Sequence, residues 1–294
     1  MNPESIPDLP IGTWAESGID WLTENASWLF DAFSALVELL VGNLTSLLLA
    51  FHPLLVIAVL ALLAWGIRSW RLALGTVVML AIAMMMGQFV TLLQTMALVL
   101  VAALLAVVVA LPLGIWAAKS PTVSAIVRPI MDFMQTMPAF VYLIPAVTFF
   151  SIGVVPGLFA TFIFSLPPGV RMTELGIRQV DAETVEAGEA FGASSWQVLR
   201  GIQLPLAVPT IMAGINQVIM LALSMAVIAG MVGADGLGKE VTSAISTLNL
   251  AQGVEAGLAV VFLAIYLDRM TGALGDLRGQ KGSLLSLVRS RRGR

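Results

Sequence analysis

Leu92-Leu-Gln-Thr-Met96-Ala-Leu-Val-Leu100-Val-Ala-Ala-Leu-Leu105-Ala-Val-Val-Val-Ala110-Leu-Pro-Leu-Gly-Ile115-Trp-Ala117 carries no charged side chain, and its reading decides the fold. About 20 apolar residues carry a helix across the ~30 Å hydrocarbon layer of a bilayer, so this stretch reads as a transmembrane helix. On either side of it, comparable runs fall near residues 50–67, 72–88, 133–152, 157–173, 206–232 and 254–274, which makes seven expected spans. Of the 294 residues 59% are hydrophobic and 11% charged, and the mean hydropathy is +0.95. Those values exclude a soluble globular chain. The expected fold class is an all-α, polytopic membrane protein.

Composition removes several functions at once. With 15 Lys+Arg against 18 Asp+Glu the net charge is -3, so no basic surface exists to neutralise a nucleic-acid backbone. The chain has no cysteine and one histidine, His52, which leaves no disulfide, thiolate metal site, thiol nucleophile or imidazole cluster. No catalytic residue and no metal ligand set is assigned.

Basic residues set the orientation. Arg68 and Arg71 fall between the first two runs, Lys119 and Arg128 between the third and fourth, Arg171, Arg178 and Arg200 around the next polar loop, and Arg278 to Arg294 in the tail. Counting spans places all four regions on one side and leaves Lys239 opposite, the asymmetry expected of a cytoplasmic face. The N-terminus is therefore expected outside and the C-terminus inside. Residues 1–49 form an acidic outer leader, Pro-rich at its start and without a basic leading region, so it reads as retained rather than cleaved. Within it Glu16, Asp20, Glu24, Asp31 and Glu38 recur at steps of four and seven, while Trp14, Trp21 and Trp28 lie mostly off that stripe. This spacing predicts an amphipathic helix at the bilayer surface. Residues 50–275 form the transmembrane domain, with a cytoplasmic loop at 173–205, and 276–294 a basic tail facing solvent and lipid.

The cytoplasmic loop contains Asp181-Ala-Glu-Thr-Val-Glu186-Ala187-Gly188-Glu189-Ala190-Phe191-Gly192 and then Ala-Ser194-Ser195-Trp196-Gln-Val-Leu199-Arg200-Gly-Ile202-Gln-Leu204-Pro205. It parses as two short helices. Asp181 caps the first, Gly192 suits its left-handed C-terminal position, and Ser194 or Ser195 caps the second. Small Ala187 and Ala190 beside exposed Phe191, Trp196 and Leu199 describe a projecting knob that fits a groove in another protein.

Glutamate-alanine, a glycine, nine intervening residues and isoleucine-X-leucine-proline resemble the signature of permease subunits of ATP-binding-cassette importers. Glu186, Ala187, Gly192, Ile202, Leu204 and Pro205 match, and Gly188 stands where that family usually has a second alanine. Met137-Pro-Ala-Phe-Val-Tyr-Leu-Ile-Pro145-Ala, Phe164-Ser-Leu-Pro-Pro168, Leu175-Gly-Ile-Arg-Gln-Val180, Pro205 to Gln217, Leu221-Ala-Leu-Ser-Met225 and Leu267-Asp268-Arg269 resemble permeases for glycine betaine and proline betaine, a likeness over roughly residues 75 to 275. The resemblance implies a non-enzymatic subunit of a bacterial inner membrane that pairs with a second copy. Two cytoplasmic ATPases, which bind the ATP and Mg, would seat under the two coupling loops, and an extracytoplasmic binding protein would deliver the solute. No cofactor belongs to this chain. Choline, carnitine or an amino acid is the alternative substrate.

Polar and soft side chains within the spans are candidates for the pathway or for helix contacts: Gln135, Thr136, Asn216, Gln217 and Ser224, with Met134, Met137, Tyr142, Met220 and Met225 as a cation-tolerant lining. Two tyrosines are too few for an aromatic cage, so specificity is assigned largely to the binding protein. Pro138, Pro145, Pro167, Pro168 and Pro209 are expected to interrupt helices, and Asp268 to pair with Arg269 or the loop. Gly233-Ala-Asp-Gly-Leu-Gly238-Lys239 has the glycine and lysine spacing of a phosphate-binding loop. Glu240 stands where a Ser or Thr must ligand magnesium, so it reads as an outer loop with tight turns. An ion-coupled transporter is disfavoured by the lack of mid-span Asp or Glu, and a sensor by the lack of an output domain.

Overall fold

The structure is a computed structural model that describes residues 9–275, so the basic tail and the first eight residues lie outside it. Its elements are α1 (Ile11–Asn25), α2 (Ser27–Leu49), α3 (Pro53–Ile67), α4 (Trp70–Met85), α5 (Phe89–Lys119), α6 (Pro121–Thr136), α7 (Leu143–Phe150), α8 (Val154–Arg178), α9 (Ala182–Ala190), α10 (Ser195–Val198), α11 (Leu204–Ala229), α12 (Leu237–Ser246) and α13 (Leu250–Gly275). No strand occurs among the described residues.

The charge-free run around residue 92–117 forms α5, which packs with α8 and α11 at the centre. Small residues bring these three helices together, as expected where lipid supplies no hydrophobic drive for association. A Cβ on Gly114 would lie 2.7 Å from the Val170 carbonyl, one on Gly169 2.8 Å from the Ala110 Cβ, and one on Gly214 2.5 Å from the Met172 Cβ. Around this centre a cluster including Leu92, Val99, Ala106, Val170, Val218, Ala222 and Leu263 is buried.

The spans differ from the expected set in three places. Among the described residues five helices are long and apolar enough to cross a membrane, Ser27–Leu49, Phe89–Lys119, Val154–Arg178, Ser195–Val232 and Leu250–Gly275, or six if one bent pair is a single span. First, the runs at 50–67 and 72–88 become α3 and α4, of 15 and 16 residues, short of the ~20 a full crossing takes. Arg68 and Ser69 break the apolar sequence between them, and His52 accepts from the Leu54 N–H to cap the first. Second, the leader divides at Ala26, and α2 is itself one of the five apolar helices because Asp31 and Glu38 are the acids it contains. Its Val37 and Val41 pack on Val101, Ala102, Val155 and Leu158, and Phe33 lies among Phe150, Phe159 and Phe162. Third, the run at 133–152 is bent by 108° between Pro121–Thr136 and Ala139–Phe150. Of the prolines expected to interrupt helices, Pro138 does so at this bend, whereas Pro167, Pro168 and Pro209 remain inside continuous helices and Pro145 sits in the first turn of α7.

Basic residues among those described gather at one end of the bundle. Lys119 donates to Gln203 at 2.6 Å, Arg178 to the Ala117 carbonyl at 2.9 Å and Arg68 to the Arg269 carbonyl at 3.1 Å. At the other end the Leu237 N–H donates to Thr95 at 2.8 Å and the Gly153 N–H to the Val232 carbonyl at 2.9 Å. Among the described residues these basic side chains thus lie together at one end of the helix axes.

Candidate functional site

The polar loop after α8 folds into a helical hairpin at the basic end. Asp181 accepts from the Thr184 N–H at 3.0 Å and starts α9. Gly192 stops it with φ +83°; the Gly192 N–H reaches the Glu189 carbonyl at 2.8 Å and the Ala193 N–H the Gly188 carbonyl at 3.2 Å. Those two bonds are a Schellman stop, whose left-handed residue any side chain would strain. Ser194, rather than Ser195, then begins α10 in a reciprocal capping box with Gln197. Both ends of the hairpin are therefore held by their own side chains and glycine, which suits a rigid projection.

Phe191 is 93% exposed and Trp196 64%, whereas Leu199 is 4% exposed. This corrects the expectation that Leu199 projects with the two aromatics. Leu199–Gln203 form a π turn in which the Leu204 N–H bonds five residues back to Leu199. That turn aims Leu199 inward, onto Ile177, Ala207 and Ile211. Glu186 and Ala187 are exposed, Ile202 and Leu204 half-buried and Pro205 exposed. Gly188 has a packing role: a Cβ there would lie 2.6 Å from Ile202 Cδ1. The glycine lets α9 close on the π turn.

Beneath the hairpin lies a cluster that the sequence reading missed. Glu174 of α8, its side chain 4% exposed, accepts from Ser124 at 2.7 Å and Arg128 Nη2 at 2.8 Å and forms an ion pair with Arg178 Nε at 2.9 Å, all on Oε1. Arg178 also holds the Ala117 carbonyl. One carboxylate thus ties α6, α8 and the end of α5 together, seven residues before the α9 cap. Nearby, Asp132 of α6 pairs with Arg171 of α8, and Arg171 Nη1 donates to Gln135 at 2.7 Å. The i,i+4 spacing of Glu174 and Arg178 is a readable signal. The partner helix α6 was not readable as such, because the apolar run begins only at 133, although Ser120 before Pro121 is a helix-start signal that the structure uses.

The candidate pathway residues separate into three groups. Met137, Tyr142 and Met225 meet in one packed cluster with Phe164, and the Tyr142 hydroxyl donates to the Met134 carbonyl across the bend. Asn216 is a helix contact: it donates to Asp268 at 3.1 Å and accepts from Thr271. Asp268 therefore has a partner on α11 besides Arg269, whose Nε lies at 3.8 Å. Gln217 and Ser224, seven residues apart on α11, are exposed with half-buried Met220 beside them, and Gln135 is exposed on α6. Thr136 and Ser224 bond to their own helices, at Phe133 and Met220.

The glycine-rich segment before α12 has the tight turns expected of it, with Gly233 at φ +88° and Gly236 at φ +124°. Lys239 donates to Asp235 at 2.8 Å, and this hydrogen bond, with the carboxylate's charge, raises the ammonium above the usual lysine range. Its cation is already engaged, as a local turn rather than a phosphate cradle.

Comparison with known proteins agrees with this architecture. The glycine betaine transport system permease protein OpuAB of Bacillus subtilis (strain 168) is 48% identical over 280 residues, covering 95% of this chain and 99% of that protein. The glycine betaine/proline betaine transport system permease protein ProW of Escherichia coli (strain K12) is 46% identical over 275 residues, covering 94% and 78%. A solved inward-facing structure of the MetNI methionine ABC transporter, in its CY5 native crystal form, superposes with a TM-score of 0.59 over 65% of this chain and 96% of that one, at 21% identity, a likeness of fold. Residues 110–275, from the last third of α5 through the hairpin to the end of α13, match the profile of the binding-protein-dependent transport system inner membrane component, and the chain belongs to that family of multi-pass transport permeases.

Proposed function

We propose that the chain is the membrane subunit of an ATP-driven importer of glycine betaine, proline betaine or a closely related betaine in a bacterial inner membrane. It works as one of two copies, with the basic end cytoplasmic, a cytoplasmic ATPase under each hairpin and a binding protein at the opposite end. The observation that carries this reading is the capped hairpin itself, with Phe191 and Trp196 bare and Leu199 rooted between α8 and α11. Exposed aromatics on a rigid support are what an interface hot spot needs. The substrate class is carried by the names of relatives 46–48% identical over nearly the whole chain.

The geometry suits a lever. Closure of the ATPases on ATP displaces the two exposed aromatics. Leu199, Ile177, Ala207 and Ile211 pass the displacement to α8 and α11, and Glu174 passes it on to α6 and α5. Rigid-body tilting of packed helices then exposes the seam between copies to alternate sides. Gln217 and Ser224 on the open face of α11, with Gln135 on α6, are the residues assigned to that seam, and Met137, Tyr142 and Met225 to the packed wall behind it.

The test is ATPase activity of the chain reconstituted with its ATP-binding subunit in lipid vesicles, with and without a betaine-loaded binding protein. Stimulation by the loaded protein is the expected result. Failure of the ATPase to associate overturns the importer, and association without betaine stimulation overturns the substrate.

A further inference from the structure

Asp132 and Arg171 form an ion pair that is open to solvent yet lies within α6 and α8 rather than at their ends. Their side chains are 64% and 36% exposed. Arg171 lies seven residues before the end of α8, about 10 Å at 1.5 Å per residue. Ionisable side chains at such a depth face a bundle interior or a water-filled space, because facing acyl chains is too unfavourable. The protomer's packed interior does not enclose them, which leaves this face of α6 and α8 open to the seam proposed between copies. The two charges sit in a cleft of about 250 Å³ lined also by Arg128, Met172, Glu174 and Leu175. Glu174 is buried and already engaged by Ser124, Arg128 and Arg178. Asp132, by contrast, has Arg171 as its one cationic partner among the described residues, and Gln135 steadies that guanidinium from the side.

We infer that the Asp132–Arg171 pair is a transient binding site for a zwitterionic solute, Arg171 taking its carboxylate and Asp132 its quaternary ammonium. Charge balance selects this ligand. When a zwitterion inserts between the two side chains, each charge exchanges one opposite partner for another and the net charge stays zero. A lone cation satisfies Asp132 and leaves Arg171 unpaired, and a lone anion does the reverse. The pair closes again when the solute leaves, so the site stays neutral when empty and does not trap its occupant. The inference rests on the betaine reading above and adds where along the path the solute pauses.

The experiment is equilibrium binding of labelled glycine betaine to the whole permease–ATPase complex in lipid nanodiscs, without nucleotide and without the binding protein. Saturable binding is expected, competed by proline betaine but not by choline or acetate at equal concentration. Asp132→Asn and Arg171→Gln, each checked for assembly with the ATPase, are expected to weaken binding about ten-fold through loss of one charge-assisted partner. Wild-type binding that choline competes equally well, or that both variants retain, overturns the inference, as does an absence of binding. The competition needs no variant, so it decides even if a substitution prevents assembly. Stimulation of the wild-type ATPase by betaine-loaded binding protein, measured in parallel, separates failure of the cleft from failure of the importer reading.

Discussion

Glu174→Ala tests whether the hairpin is mechanically joined to the rest of the bundle. The carboxylate is 4% exposed, and its Oε1 accepts from Ser124 and Arg128 and pairs ionically with Arg178, at 2.7 to 2.9 Å. Removing it leaves a buried hydroxyl to find a new acceptor, at about 1–3 kcal/mol for an unsatisfied group. The two guanidiniums, 58% and 37% exposed, recover water, so each lost pairing is discounted to about 1 kcal/mol rather than the value of a fully buried pair. The sum is about 3–5 kcal/mol, concentrated where α5, α6 and α8 meet. Glu174→Gln keeps the shape and the Oε1 acceptor but loses the charge and replaces Oε2, which accepts from Arg128 Nε at 3.4 Å, with an amide donor, so it is expected to cost about 1–2 kcal/mol. The assay is paired: thermal unfolding of the purified complex followed by tryptophan fluorescence, and solute transported per ATP hydrolysed in vesicles. The alanine variant is expected to melt earlier and to hydrolyse ATP with little transport, with the glutamine variant between it and wild type. A double-mutant cycle with Arg178→Gln should return a coupling energy of about 1 kcal/mol. Wild-type melting and wild-type coupling in Glu174→Ala would refute the joint.

Phe191→Ala and Trp196→Ala each remove a bare aromatic from a rigid support, and loss of about 2 kcal/mol of ATPase affinity is expected for each, roughly 30-fold in a pull-down titration; Leu199→Ala should instead lower stability, because that side chain is buried. Gly188→Ala gains up to about 1 kcal/mol of helix propensity and meets only the flexible Ile202 Cδ1 at 2.6 Å, so transport should survive it, whereas Gly188→Leu should not permit closure of α9 on the π turn. Gly236→Ala combines φ +124° with a Cβ 2.4 Å from Thr95 Oγ1, and a lowered melting temperature worth about 1–3 kcal/mol is expected. Thr95→Val leaves the buried Leu237 N–H without its acceptor and should cost a similar amount, about 1–3 kcal/mol; its thermal melt checks this.

Hydropathy made the membrane helices legible where a charge-free run is long, as at 92–117, because a helix in hydrocarbon must carry apolar side chains all round. The hairpin was legible too. Asp181, Gly192 and Ser194 act on backbone groups within a few residues, so local sequence specifies them. Counting spans put Arg68, Lys119 and Arg178 on one side, and they lie at one end of the bundle even though α3 and α4 are shorter than the count assumed; Arg269, which the count left out, joins them there.

Packing between distant segments decided the rest. Glu174 and Arg128 are 46 residues apart, and Asn216 and Asp268 are 52 apart, separations at which no periodicity signals a contact. Leu199 looked like a third exposed hydrophobe until the π turn set its direction, and a π turn depends on how α11 seats against α8. The placement of α6 against α8 gave Asp132 and Arg171 their shared cleft, although each is an ordinary polar residue beside an apolar run in the sequence. Residue type and local hydrogen bonding determined the membrane class and the hairpin from the sequence alone. Which charges are buried, which are paired and which remain open depended on side chains brought together by helix packing, and only the tertiary structure carries that information.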